Sequence, residues 1–257
     1  MPRTPRGQSE SGIYHVMLRG IDRAQLFYDA EDHLAFIERL SKYKEKYGYL
    51  LLAYSLMGNH VHMLIREGSS GLSQDIKSLA TSYAHWFNEK YDRSGYLFQS
   101  RFKSEPITSD GYLLQALHYI LNNPVKIGQP ITHWTSYNDY ISDDKQGAAL
   151  TDTSYILEMF STNHHKAVEL FIDFVSQEHD NDTSFIDEPE KQRPKDSEAI
   201  ELIKGIAQVQ SCIDLSSMDK NRRDHTLALL KKEGLTIRQL ARLTGINRGL
   251  VQRAKSE

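Results

Sequence analysis

The chain has 257 residues, enough for one large domain or two ordinary ones. Its 39% hydrophobic and 25% charged residues, with 7 Pro and 15 Gly, exclude a fibrous or wholly disordered protein, and a single cysteine, Cys212, excludes an intrachain disulfide. The formal net charge of -3 is close to neutral and selects no partner by itself.

Residues 12–18, GIYHVML, alternate and are rich in β-branched and aromatic side chains, which predicts a strand followed by a polar turn over 19–23. Residues 29–47 open on acidic side chains and space Leu34, Phe36, Ile37, Leu40 and Tyr43 at helical intervals, so an amphipathic helix is expected. Two strands follow, 50–57 and 61–66, separated by Gly58-Asn59, turn chemistry that joins antiparallel neighbours. Residues 72–91 place Leu72, Ile76, Leu79, Tyr83, Trp86 and Phe87 on one stripe, a second helix with a core-facing aromatic side. A strand over 96–107 and a third helix over 112–122, capped by Asp110 and ended by Pro124, complete the pattern. Residues 130–176 hold Trp134, several tyrosines and an apolar helical run over 155–175, read as an extension covering the first domain. There is no internal repeat.

The order strand, helix, strand, strand, helix, strand predicts an α+β fold of the ferredoxin-like split βαβ type with an antiparallel sheet and one further helix packed on it. That fold serves many functions, so function has to be read from a site. Residues 177–201 carry nine acidic and three basic side chains and two prolines, the composition of a solvated linker. Residues 218–257 reverse the sign, with ten Lys or Arg against four Asp or Glu, an excess that suits either a solvated helical surface or a phosphate backbone. The expected domains are thus 1–130, an extension over 131–176, an acidic linker over 177–195 and a small all-α domain over 196–257. The least polar stretch, 49–57, is far shorter than the ~20 residues of a spanning helix, and MPRTPRGQSES lacks an apolar signal core. A reducing, cytoplasmic location is therefore expected.

His60-Val61-His62 stands at the start of a strand, where residues two apart share a face, so two imidazoles converge while Val61, Met63 and Ile65 project the other way. With 11 His in the chain, chance gives roughly half an occurrence of such a pair, so the pattern draws its force from its surroundings. Tyr119 and Asn123 are four apart and share one side of the third helix. A phenol attacks phosphate at neutral pH only with a base or positive charge nearby. Two neutral imidazoles, an amide oxygen and water would hold a divalent cation, and mixed nitrogen and hard oxygen donors suit Mg²⁺ or Mn²⁺. The structural alternatives are an unliganded histidine pair, a core tyrosine, and an Asn that merely ends a helix beside Pro124. His118, about 100° round the helix from Tyr119, reads as packing or solvent exposed. Arg101 and Lys103 alternate with Phe102 and suit phosphate contacts or a solvated strand face equally; Arg19 and Arg23, after the first strand, are candidates of the same kind.

MGNHVHMLI, GYLFQSRFKSEPI and YLLQALHYILNNPV, in this order and spacing, resemble the HUH single-tyrosine transposase family, in particular its REP-associated branch. The opening GIYHVMLRGIDRAQLF is similar to that family's first strand and turn, and the likeness spans approximately residues 5–135. It implies that His60, His62 and Asn123, where relatives often carry Gln, are metal ligands and that Tyr119 is the nucleophile. It further implies attack on single-stranded DNA at imperfect hairpins, a 5′-phosphotyrosine intermediate with a free 3′-hydroxyl, and rejoining without ATP. Family members include homodimers that exchange the tyrosine helix, and the sequence does not choose between monomer and dimer.

LTIRQLARLTGINRGLVQRA, residues 235–254, forms two helical patterns interrupted at Gly245. Ala241 is small enough for close helix contact, Gly245 allows the turn, and Leu240, Ile246, Val251 and Ala254 seal a small core, the helix-turn-helix pattern. A recognition helix over about 247–255 would offer Asn247, Arg248, Gln252 and Arg253 to base edges or phosphates of duplex DNA. The alternative is a helical hairpin used for dimerisation. Three functions follow: a metal-dependent single-stranded DNA transesterase, a non-catalytic DNA-binding regulator on the same fold, or an unrelated metal phosphohydrolase with no use for Tyr119. The first accounts for both histidines, the tyrosine and the tail together.

Overall fold

The computed structural model describes residues 7–142, 150–177, 194 and 196–254. Apart from Gln177 and Pro194, the expected acidic linker over 177–195 lies outside the described residues. Two compact units divide the chain, Met1–Ile186 and Asp187–Glu257.

The first unit runs β1 (Ile13–Arg19), α1 (Ala30–Tyr47), β2 (Leu50–Met57), β3 (His60–Arg66), α2 (Leu72–Lys90), β4 (Lys103–Pro106) and α3 (Asp110–Leu121). The strands lie in the order β2-β3-β1-β4 with every neighbouring pair antiparallel, which is the ferredoxin-like split βαβ sheet expected from the sequence. Local chemistry sets the ends of α1: Asp29 caps it in a reciprocal box with Asp32, and Gly48 closes it at φ 67°, a left-handed conformation open to glycine. Buried Asp32 is satisfied by the Tyr28 backbone N–H, the Lys90 ammonium and the Tyr91 hydroxyl. The two-residue Gly58-Asn59 turn fixes β2 against β3, pairing Met57 with His60 and Ser55 with His62.

Strand alternation sends successive residues to two different cores. Val16, Leu18, Val61, Met63 and Ile65 join Phe36 and Leu40 of α1 and Ile76, Leu79, Tyr83 and Phe87 of α2. Each such burial contributes on the order of 1.5–3 kcal/mol for a side chain the size of Phe36. Ile13, Ala53 and Leu64 face the other way, against Leu113, Ala116, Leu117 and Ile120 of α3. This second face is covered further by α4 (Tyr137–Ile141), α5 (Ser154–Phe160) and α6 (His164–Ser176), through Tyr140, Ile156 and Phe171. Tyr140 donates its hydroxyl to the Leu52 carbonyl and stacks on Phe171 at 4.4 Å.

Four local expectations change. The strand expected over 96–107 is regular only from Lys103 to Pro106; Leu97 and Gln99 still bond to Ile21 and Arg19, but the ladder breaks at Ser100-Arg101. Ser109, not Asp110, caps α3, because its hydroxyl accepts from the Tyr112 N–H at 3.2 Å. The run over 155–175 is two helices, since the Asn163 side chain starts a new one by accepting from the Lys166 N–H. The last helix of the chain ends at Arg253, short of the expected Lys255, which lies outside the described residues.

The second unit contains α7 (Asp196–Ala207), α8 (Lys220–Lys232), α9 (Ile237–Thr244) and α10 (Arg248–Arg253). Its core is Ala199, Ile203, Leu215, Leu227, Leu230, Leu240, Ile246 and Val251, with Ala254 closing one end. Gly245 ends α9 at φ 73°, and Asn247 starts α10 by accepting from the Gly249 N–H at 2.8 Å. Among the described residues no helix is long and apolar enough to cross a membrane.

Candidate active site

β3 begins at His60 directly after the turn, and its alternation puts His60 and His62 on the sheet face that carries α3. Their ring centroids are 4.9 Å apart with the planes at 90°. His62 is fully buried between Ser55 of β2 and Met17 of β1, its partners in register. His60 lies nearer the end of the sheet, opposite Met57 and Arg19. A pair of this kind is held in one orientation only if the ring nitrogens are tied down. His60 Nδ1 is 2.7 Å from Asn59 Oδ1, and His62 Nδ1 is 2.9 Å from His15 Nε2.

α3 lays Tyr119 over these rings. The Tyr119 ring centroid is 5.6 Å from that of His62 and 5.8 Å from that of His15, both edge to face, and the residue is 9% exposed. Asn123, one turn on, is buried and donates its amide to the Tyr119 carbonyl at 3.1 Å, which leaves its carbonyl oxygen as the atom it can offer an ion. The chain then makes a short 3-10 turn, Val125–Ile127, which brings Lys126 back so that its Nζ stands 3.6 Å from the Tyr119 ring centroid. His118 turns away, placing Nε2 2.9 Å from the Gln177 carbonyl and its edge on Phe174, a packing role.

Two of the basic candidates border the pair on the same face. Arg19 pairs with His60 in register, and Lys103 pairs with Met17, which in turn pairs with His62. Both Lys103 and Arg101 are exposed, with Phe102 buried between them, although Arg101 precedes the regular strand. Arg23 sits in the turn after β1, where its carbonyl accepts from the Asn59 amide at 3.4 Å. In the second unit Asn247, Arg248, Gln252 and Arg253 are all exposed. Arg253 Nε also reaches the Gly249 carbonyl at 3.1 Å. Arg242 is instead held by Asp196 at 2.6 Å, and that guanidinium keeps the Asp196 carboxyl below the usual carboxylate range.

Among the described residues, no group of three His, Cys, Asp or Glu side chains is arranged to hold a metal ion. A cation here would therefore rest on two imidazoles completed by an amide oxygen, water or substrate. Two members of the cluster escaped the sequence reading, His15 and Lys126. His15 shares the parity of Ile13 and Met17, the one sign that it faces α3.

Comparison with solved structures finds a REP-associated tyrosine transposase bound to a REP hairpin, 17% identical, covering 58% of this chain and 96% of that one, with a TM-score of 0.47. It also finds a putative transposase from Deinococcus radiodurans R1, 21% identical, covering 47% of this chain and 97% of that one, with a TM-score of 0.34. No curated protein matches the chain. The family described as "Transposase IS200 like" matches residues 8–123, from just before β1 to Asn123. The part of the chain that carries His60, His62, Tyr119 and Asn123 is thus the part similar to the IS200-like transposase family.

Proposed function

We propose that this protein cleaves and rejoins single-stranded DNA at hairpins by transesterification, with Tyr119 as nucleophile. The observation that carries the reading is the convergence of three groups within a few ångströms: the His60–His62 pair, the Tyr119 ring edge to face with His62, and the Lys126 ammonium over that ring. Together they put a nucleophile, a cation and two imidazoles at one place on the sheet.

The Tyr119 oxygen attacks the scissile phosphorus as its proton leaves to solvent or a neighbouring base. The bond from phosphorus to the 3′ oxygen breaks, and that oxygen takes up a proton, leaving a 3′-hydroxyl and a 5′-phosphotyrosine. One phosphodiester replaces another, so the reverse step needs a strand end and no nucleotide cofactor. Lys126 offsets charge on the attacking oxygen, while Arg19, Lys103 and the more distant Arg101 offer cations to the backbone of the strand. A Mg²⁺ or Mn²⁺ ion on His60, His62 and Asn123 would polarise the phosphoryl oxygen and neutralise charge on the leaving oxygen.

The same reading assigns 1–130 to catalysis, 131–176 to its helical cover, 177–195 to a linker and 196–257 to a helix-turn-helix domain that reads duplex DNA beside the hairpin. There α10 presents Asn247, Arg248, Gln252 and Arg253 as the recognition face. A cytoplasmic location and either a monomer or a homodimer fit this assignment.

The test is electrophoretic. The purified protein is incubated with labelled single-stranded hairpin DNA from the flanks of its own gene, with Mn²⁺, Mg²⁺ or chelator. The reading predicts a metal-dependent, denaturation-resistant band at protein-plus-DNA mass that is lost in His60→Ala, His62→Ala and Tyr119→Phe. Tight binding without an adduct would point to the non-catalytic regulator, and metal-dependent cleavage without an adduct to a phosphohydrolase.

A further inference from the structure

His15 has no place in the chemistry above, yet it is fully buried and its Nε2 lies 2.9 Å from His62 Nδ1. The His60 side of the pair shows what such a contact does. The Asn59 amide nitrogen donates to the Arg23 carbonyl at 3.4 Å, which orients its Oδ1 toward His60 Nδ1 at 2.7 Å. An amide oxygen only accepts, so His60 Nδ1 is the donor and, in the neutral ring, its lone pair for an ion is on Nε2.

His62 has no amide beside its Nδ1; it has His15. Two neutral imidazoles in contact share one hydrogen bond, and it has two senses. If His15 Nε2 donated, the His62 proton would be on Nε2, the nitrogen needed for the ion. If His62 Nδ1 donates, His15 Nε2 accepts, the His15 proton is on Nδ1, and His62 Nε2 carries a lone pair. A cation on His62 requires the second sense, because only there is His62 Nε2 unprotonated and able to hold it, as Nε2 of His60 is.

We infer that His15 is a positioning residue that fixes His62 as the Nδ1–H tautomer and so sets the affinity of the histidine pair for a divalent cation. The inference rests on the metal-dependent reading of the site, but the tautomer can be read with or without an ion. Partners behind metal-bound histidines are worth about 10–100-fold in metal affinity when removed.

The experiment uses the full chain and has two arms. In the first, Mn²⁺ is titrated and unbound ion is read by electron paramagnetic resonance for wild type, His62→Ala, His15→Phe and His15→Gln, each checked for wild-type circular dichroism. Phe fills the space without an acceptor; Gln supplies a carbonyl oxygen able to accept from His62 Nδ1. The expected result is a loss of about 10–100-fold in Mn²⁺ affinity for His15→Phe and most of the affinity kept in His15→Gln. His15→Phe binding within twofold of wild type, or equal losses in both variants, overturns the inference. In the second arm, long-range nitrogen-proton NMR of ¹⁵N-histidine-labelled wild type without metal reads the tautomer directly. Nδ1–H at His62 is expected, and Nε2–H at His62 overturns the inference. Wild type that binds no Mn²⁺, or binds it regardless of His62→Ala, refutes the metal reading of the site, and the tautomer arm then decides the role of His15 alone.

Discussion

Replacing Lys126 by Met removes a charge from the nucleophile while keeping an unbranched side chain of similar length. The Lys126 Nζ is 3.6 Å from the Tyr119 ring centroid. An oxygen on the rim of that ring is then roughly 4–5 Å from the ammonium, where two unit charges interact by about 1 kcal/mol in water and about 4 kcal/mol at an effective dielectric near 20. Lys126 is exposed, so solvent screens the pair and the lower part of that range applies. A cost of about 1–2 kcal/mol in the transition state corresponds to roughly 5–30-fold in rate. The assay is single-turnover adduct formation at saturating hairpin, so that weaker DNA binding does not enter. Lys126→Met should slow adduct formation by that factor, and Lys126→Arg, which keeps the charge, should stay within about threefold of wild type. A Lys126→Met rate within twofold of wild type, or equal damage from Arg and Met, would refute the placement of this cation over the reacting oxygen.

Three other outcomes follow from the packing. A Cβ on Gly20 would stand 2.1 Å from the Ala24 carbonyl oxygen, so Gly20→Ala must shift the loop that precedes α1 and should cost about 1–3 kcal/mol, seen as a lower thermal midpoint. His33 is stacked between Phe27 at 4.4 Å and Trp134 at 4.2 Å; burial lowers its pKa most, His133 adds to that, and the Asp29 carbonyl with Asp32 and Asp29 charges opposes it. A depressed folded-state pKa means stability that is present above the unfolded value near 6.5 and is lost as pH falls below it, so denaturant midpoints should drop between about pH 7 and 5 in wild type and drop less in His33→Phe. In the second unit, Arg248→Ala with Arg253→Ala should weaken binding to duplex flanks and flatten its salt dependence by about one unit of slope per lost phosphate contact, while leaving cleavage of a minimal hairpin unchanged; equal loss of both activities would contradict a division of labour between the two ends of the chain.

Much of this was written in local pattern. Alternation around Val61 and Met63 placed His60 and His62 on one face, because side-chain direction in a strand follows from position alone, whereas Asn123 lies beyond the end of α3 and meets Tyr119 through its backbone carbonyl. The ferredoxin-like order was legible for the same reason. What local pattern does not carry is register between strands distant in sequence. His15 meets His62 only because β1 pairs with β3 so that Met17 faces His62, forty-five residues away. Lys126 was hidden differently: it follows Pro124, where the helix has ended, and reaches Tyr119 through a 3-10 turn that no apolar periodicity announces. The overlong strand over 96–107 and the fused helix over 155–175 failed where a polar break, Ser100-Arg101 or the Asn163 cap, outweighed the hydrophobic run on either side.

The central claim is that the oxygen of Tyr119 becomes bonded to DNA. The most direct measurement is mass spectrometry of the protease-digested adduct formed with hairpin DNA, read for the peptide that carries the nucleotide. The account predicts one modified peptide containing Tyr119, joined to the 5′ side of the cleaved strand, and no adduct from Tyr119→Phe. A nucleotide on any other residue, or an adduct that survives Tyr119→Phe, would contradict it.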